Sequence, residues 1–283
     1  MSETRTPAKD TALRRFTHNP AAMTALIVLV LIAIACFAAP LLPHYGEKSN
    51  LDARWLPPSA EHWLGTDEQG KDYFTRVLDG GRITLFVGFV ATLVSMTVGV
   101  LVGVCAAYFG RFVDETLMRF VDLMTAVPWM VLVIVARAFF PPGLWTIILI
   151  IGALSWMSTA RLVRAEALSI KERTFVGYAK YIGQKPSLVI FRHILPGAIG
   201  TIIVVSTATV SGAIMTESAL GFLGLGVPAP LASWGSLLST SKGQLATAPH
   251  LAIVPGLMIA ITVFCINVIG NGLRSAIMRE ESR

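Results

Sequence analysis

The chain is built on apolar runs that no soluble fold has the interior to hide. The first, Ala21 to Leu42, carries no charge at all. A core of about 20 such residues is long enough to cross the hydrocarbon of a bilayer as a helix. Further runs follow at Ile83 to Phe109, from near Val113 to Arg137, Trp145 to Thr159, Ala198 to Ala219 and Leu251 to Leu273. Hydrophobic residues make up 54% of the sequence and charged residues 14%, with a mean hydropathy of +0.67. Soluble domains carry about 25% charge, so the expectation is an all-α polytopic membrane protein with six transmembrane helices. The first run looks like a signal peptide, but it is long enough to stay. Ala33-Ile34-Ala35 before Cys36 lacks the large aliphatic residue that a lipoprotein cleavage site needs three places upstream.

Charge placement sets the orientation. The net charge is +6, but the cations follow the loops instead of gathering on one basic face, which argues for the positive-inside rule and against a nucleic-acid partner. Sixteen of the 23 Lys and Arg fall on one side: the N-terminal tail, Arg111 and Arg119, the long loop after the fourth span, and the C-terminus. Lys48, Arg54, Lys71, Arg76, Arg82, Arg137 and Lys242 fall on the other. Both termini are therefore expected in the cytoplasm. The divisions are a tail at 1–19, a first helix at 20–42, an extracytoplasmic segment at 43–82, a five-helix core at 83–273 and a tail at 274–283. Within the core lie a cytoplasmic loop at 160–196 and an outer segment at 220–249.

Several features read as packing. Ser95, Gly99, Gly103 and Ala107 recur every four residues, a small-residue stripe that lets a neighbouring helix come close. Cys36, Cys105 and Cys265 sit in apolar runs without a CxxC or Cys/His cluster, as core fillers do. In the third span, Glu115 with Arg119 and Arg119 with Asp122 have the spacing of helical ion pairs anchoring the cytoplasmic boundary. Pro128 should kink that span midway. The fifth span is different, crowding Ser206, Thr207, Thr209, Ser211, Gly212 and Thr216 into its middle and outer half, with Glu217 near its outer end. Two uses remain open for these hydroxyls: bonding back to the helix carbonyls, or lining a water-filled path.

The loop at 160–196 is too long for a connector. It holds seven cations against Glu166 and Glu172. Leu162, Ala165, Leu168, Ile170, Phe175, Ala179 and Ile182 recur at near-helical spacing. Two or three short amphipathic helices are expected, broken at Gly183 and ended at Pro196, presenting a surface to a soluble partner. No GxxxxGK[ST] loop is present to hold nucleotide phosphates, nor HExxH, GxSxG or a carboxylate pair suited to catalysis, and the five histidines are scattered singly. The span interiors hold no deep acid and show no inverted repeat of the kind seen in ion-coupled transporters. A non-catalytic transport component driven from outside is the leading class. A solitary secondary transporter, or an assembly protein that recruits a factor through the loop, are the rivals.

The loop also resembles the EAA motif of importer-type ABC permeases, through Gly177-Tyr178-Ala179, Gly183 and Leu195-Pro196. More narrowly, the chain resembles the second permease subunit of the dipeptide/oligopeptide/nickel importer family. The matching stretches are FTHNP at 16–20, GTDEQGKDYFTRVLDGGRITL at 65–85, FRHILP at 191–196 and TESALGFLGLGVPAPLASWG at 216–235. It departs from the motif where Gly177-Tyr178 replaces Glu-Ala, and where Gly270-Asn271-Gly272-Leu273-Arg274-Ser275 lacks two acids. The resemblance implies the importer-type permease fold in a bacterial inner membrane. It implies a heterodimer with a second permease, two cytoplasmic ATP-binding subunits and an extracytoplasmic substrate-binding protein. This chain would bind no cofactor or metal, ATP and Mg being used by the partner ATPases.

The coupling helix that docks on an ATPase would span roughly Arg173 to Gln184. Phe175 and Tyr178 would be its anchors, Lys180 and Lys185 its rim and Gly183 its hinge, with Thr174, Val176, Gly177 and Ala179 completing it. Ser206, Thr209, Ser211 and Glu217 would either line the substrate path or pack against the partner permease.

Overall fold

A computed structural model of the chain describes residues 12–46 and 48–281. Arg5, Lys9 and Arg283 of the charge asymmetry lie outside the described residues. Among these residues the only bridge between extended segments is the single pair Thr66–Asp72, and the rest of the regular structure is helical. A short helix α1 (Ala12–Thr17) leads into α2 (Pro20–Phe37). Asn19 caps α2 by accepting from the Ala22 amide, and Pro20 fills the first turn, where no amide is needed. Pro40 and Pro43 follow, so α2 stops at Phe37, short of Leu42, and a 3-10 turn at Ala39–Leu41 carries the chain out.

Helix α3 (Tyr73–Phe109) begins ten residues earlier than the apolar run indicated. Asp72 caps it by accepting from the Thr75 amide at 2.8 Å. Its first turns bury Tyr73 and Val77 while Arg76 and Arg82 reach toward the polar segment, so a purely hydropathic boundary falls too late. At 37 residues it is about 55 Å long. The small-residue stripe packs against α6 (Leu144–Lys171). A Cβ added at Gly99 would sit 2.7 Å from Thr159 Cβ, and one at Gly103 would sit 2.6 Å from the Ala160 carbonyl oxygen. The stripe is a packing device, as expected.

The third span is broken instead of kinked. After a turn at Gly110 (φ +62°), α4 (Arg111–Ala126) and α5 (Trp129–Phe139) meet at 88°. Val127 before Pro128 is extended, as the proline ring requires, and Pro128 supplies no amide to carry the ladder across. Among the described residues five helices are long and apolar enough to cross a membrane, and six spans result if the bent pair is one of them.

Helix α6 runs through the first twelve residues of the loop at 160–196. Only then comes the separate helix α7 (Thr174–Tyr181). Gly183, at φ +75°, ends it in a Schellman-type turn: the Gln184 amide donates to Ala179 O and the Gly183 amide to Lys180 O. The chain then runs almost without interruption through α8 (Pro186–Val189), a π-turn at Ile190–Ile194, α9 (Leu195–Gly197) and α10 (Ile199–Phe222). Pro196 does not end a helix here. It follows the π-turn, where the hydrogen-bond register is already interrupted. On the far side, α11 (Trp234–Thr240) is closed by a reciprocal Ser233–Ser236 capping box. Helix α12 (His250–Glu281) continues past Leu273 through most of the expected C-terminal tail.

Two apolar clusters hold the ends of this bundle. At the α7 end, Val104 and Ala107 of α3, Val163, Ala167 and Ile170 of α6, Val176 and Ala179 of α7, and Val189, Ile194 and Ala198 pack together. At the opposite end, Cys36, Tyr73, Val77, Trp234, Leu237 and Leu251 join α2, α3, α11 and α12.

Candidate functional site

The site has two parts, an exposed helix and a groove, connected by the same pair of spans. Helix α7 turns its aliphatic residues inward. Val176 and Ala179 are buried against α3 and α6, so within the helix read as the coupling helix they form the inward face. The outward face is aromatic: Phe175 is 46% exposed, Tyr178 66% and Tyr181 89%. Arg173, Thr174, Gly177, Lys180, Gly183 and Lys185 are exposed around them. A Cβ at Gly177 would meet nothing within 4 Å, so that position is open to whatever covers the helix. The result is an exposed aromatic patch rimmed by cations, a composition suited to a protein contact.

Cations also tie α7 to its surroundings. Lys180 Nζ lies 5.1 Å from the centroid of the Tyr108 ring. Desolvation pulls its amine below the ordinary lysine value, with Lys171 adding to the shift. Lys171 Nζ donates to Ala107 O at 2.7 Å, holding the last turn of α3 to the end of α6.

Two further links were missed by sequence reasoning. Arg164 clasps the Asp114 carboxylate with two nitrogens, and Arg161 donates to Asp122 and Thr125, both at 2.8 Å. Asp122, expected to pair along α4 with Arg119, instead binds Arg161 of α6, and Asp114 joins α4 to α6 through Arg164. Alternating charge on two helices is visible in the sequence, but which pairs form depends on how the helices cross.

The groove lies between α6, α10 and the end of α12, with a volume of about 730 Å³. Ser155, Ser158 and Thr159 of α6 face Thr201, Thr209, Gly212 and Thr216 of α10. Glu166 and Arg274 stand at its α7 end. Ser155 donates to Ile151 O at 2.7 Å and Thr209 to Val205 O at 2.9 Å. Of the two uses left open for the fifth-span hydroxyls, bonding back to the helix is seen at Thr209, which also borders this cavity. The walls are consequently small and weakly polar, and the lining charges are confined to Glu166 and Arg274.

Of the four path residues read from the sequence, the structure brings only Thr209 to this groove. Ser206 faces the opposite side of α10 and donates to Ile203 O. Ser211 is buried. Glu217 is 0% exposed and accepts from Thr84 Oγ1 at 3.1 Å. Thr84 Oγ1 in turn accepts from the Trp234 amide at 3.1 Å, while the Trp234 indole donates to Val77 O at 2.8 Å. Glu217 is therefore a strut joining α3, α10 and α11. Ser155, Ser158 and Thr159 of α6 line the groove without any spacing in the sequence that sets them apart.

The comparisons agree with this geometry. A model for the binding-protein-dependent transport system inner membrane component matches residues 99–281, and one for the N-terminal TM domain of oligopeptide transport permease C matches residues 6–58. The oligopeptide transport system permease protein OppC of Bacillus subtilis is 41% identical over 94% of this chain and 88% of its own length. The dipeptide transport system permease protein DppC of the same organism is 38% identical over 94% and 84%. OppC of Escherichia coli K12 is 40% identical over 94% and 89%. Among solved structures, a permease chain of the inward-facing MetNI methionine ABC transporter superposes with a TM-score of 0.59 at 19% identity, covering 69% of this chain and 93% of its own. An amino acid ABC transporter follows at 0.53 and 14% identity, covering 74% and 95%. These two likenesses bear on the fold alone. The bundle, its loop and its relatives make this chain a multi-pass permease that belongs to the family of binding-protein-dependent transport system inner membrane components.

Proposed function

We propose that this chain is the second permease of an ATP-driven importer for dipeptides or oligopeptides. In this reading it sits in a bacterial inner membrane with both termini in the cytoplasm. It forms the translocation path with a homologous permease, receives substrate from an extracytoplasmic binding protein, and docks α7 on one of two cytoplasmic ATPases. ATP and Mg act in those ATPases. The observation that carries the reading is mechanical. Val176 and Ala179 lock α7 onto Val163, Ala167 and Ile170 of α6 and onto Val189 and Ile194 ahead of α10. Those two spans are the walls of the groove. A displacement imposed on Phe175 and Tyr178 by a closing ATPase is carried to both walls together, as a rigid-body transition. Largely neutral, small-residue walls suit a path for peptides of varied side chains, since the fixed charges are confined to Glu166 and Arg274 at one end.

The test is reconstitution. Expressed with its partner permease and ATPases, the chain should co-purify with them in mild detergent. In proteoliposomes it should accumulate labelled peptide only with ATP and a loaded binding protein, and vanadate should stop uptake. Uptake by this chain alone, without ATP, would replace the reading with a solitary transporter.

A further inference from the structure

The side of α10 that turns away from the groove faces a second cavity of about 430 Å³ between α2, α3, α10 and α12. Its α10 lining is Ser206, Thr207, Val210 and Ile214, whereas the first groove takes Thr201, Ala208, Thr209, Gly212 and Thr216. At about 100° per residue these sets fall on opposite sides of the helix. The second cavity is apolar in practice, because Ser206 and Thr207 spend their hydroxyl protons on Ile203 O and Val204 O at 2.7 and 2.8 Å.

Helix α2 is pinned at both ends and borders the cavity between them. At one end Ala22 lies where a Cβ on Gly272 of α12 would approach within 2.7 Å. At the other, Cys36 and Trp234 leave no room for a side chain at Gly81 of α3. Between these clamps Leu26, Leu29 and Ala33 border the cavity, while Ile27, Leu31 and Ile34 on the outer side of α2 are exposed. The window is therefore continuous with the lipid-facing surface, on the side of α10 away from the path.

One turn of α3 before the cavity's lining stands a charge pair. Leu85, Phe86 and Phe89 of α3 line the cavity, and Arg82 stands one turn before them on the same helix face. Arg82 donates to Tyr45 Oη at 3.4 Å and lies 3.7 Å from Asp79. Both contacts are long, and the five-donor guanidinium keeps capacity for a phosphate. Asp79 beside it matches an ammonium.

We propose that the window between α2 and the core holds one acyl chain of a zwitterionic phospholipid, with its phosphate on Arg82 and its ammonium on Asp79. The orientation in the membrane, and hence assignment to the outer leaflet, rests on the function proposed above. The lipid keeps α2 seated on the core where no side chain fills the gap.

Native mass spectrometry of the intact importer complex, titrated with phosphatidylethanolamine or phosphatidylglycerol, tests this directly. One phosphatidylethanolamine per copy of this chain should survive mild detergent. Loss of a charge-assisted hydrogen bond lowers affinity roughly tenfold or more, so Arg82→Ala should reduce occupancy to that extent and Arg82→Lys should restore part of it. Ala33→Trp, which fills the window, should abolish the adduct. The Asp79 contact should favour phosphatidylethanolamine by up to about fivefold. A photo-crosslinking residue at Leu29 should label lipid. Labelling of the partner permease, or occupancy unchanged in both the Arg82→Ala and Ala33→Trp variants, would overturn the proposal. Preference for phosphatidylglycerol would overturn its headgroup assignment. The adduct is read without ATP or uptake, so its loss is distinct from a failure of the importer reading.

Discussion

The two faces of α7 should respond to mutation in opposite ways, and the burial of its residues sets the size of each response. Tyr178 is 66% exposed and Phe175 46%, and neither belongs to the buried cluster that holds α7. Truncating Tyr178 to Ala leaves Val176 and Ala179 in their cluster, so the thermal midpoint of the purified permease should stay within the range of a neutral surface change, about 0.5 kcal/mol. If Tyr178 anchors the ATPase, the same change removes an interfacial aromatic, for which about 2–4 kcal/mol is usual. That is roughly a 30- to 1000-fold loss of affinity. Val176→Ala reverses the pattern. It deletes two buried methyl groups at about 0.8 kcal/mol each, plus a cavity, for about 2 kcal/mol of stability, and touches no partner. The assay pairs a thermal-unfolding curve of the permease in detergent with an ATPase-binding isotherm and with ATP hydrolysis stimulated by the loaded binding protein. Tyr178→Ala should move the second and third readings alone. If ATPase binding is unchanged in Tyr178→Ala and in the Phe175→Asp/Tyr178→Asp double variant, α7 is not the docking helix.

Further tests follow from the packing. Gly99→Ala should lower stability by about 1–3 kcal/mol, because the new methyl lands 2.7 Å from Thr159 Cβ and must push α3 off α6. Gly177→Ala, with open space around it, should raise helix stability by up to about 1 kcal/mol. Both are read by thermal unfolding, and equal signs would contradict the geometry. Glu217→Ala strands the buried Thr84 hydroxyl and should cost about 1–3 kcal/mol. Glu217→Gln keeps an acceptor and should retain most of the stability and uptake; equal damage from both would show that the ionisable acid itself matters. Arg164→Leu breaks the bidentate clasp on Asp114. As the pair is partly exposed, the cost should be about 1 kcal/mol, but proteolysis near the α4–α5 break should accelerate. Unchanged cleavage would mean that the clasp does not hold α4.

Periodicity along one strand of sequence settled the apolar spans, the break at Gly183 and the small-residue stripe, because each is a local property: hydrocarbon needs unbroken apolar length, left-handed backbone favours glycine, and four-residue spacing puts small side chains on one helix face. It also placed Phe175 and Tyr178 on an exposed surface, since aromatic residues among cations in a polar loop stand out locally. What depends on two helices meeting was out of reach. Only the tertiary structure decided that Val176 and Ala179 are core while their neighbours are surface, that Asp114 and Asp122 pair with α6, and that Glu217 is buried beside Thr84 and does not face the groove. It alone showed that Ser206 and Thr209, three residues apart, open onto different cavities. Helical spacing reveals which residues share a face. Which face meets a neighbour, a path or lipid is fixed by crossing helices, and that is information no single segment carries.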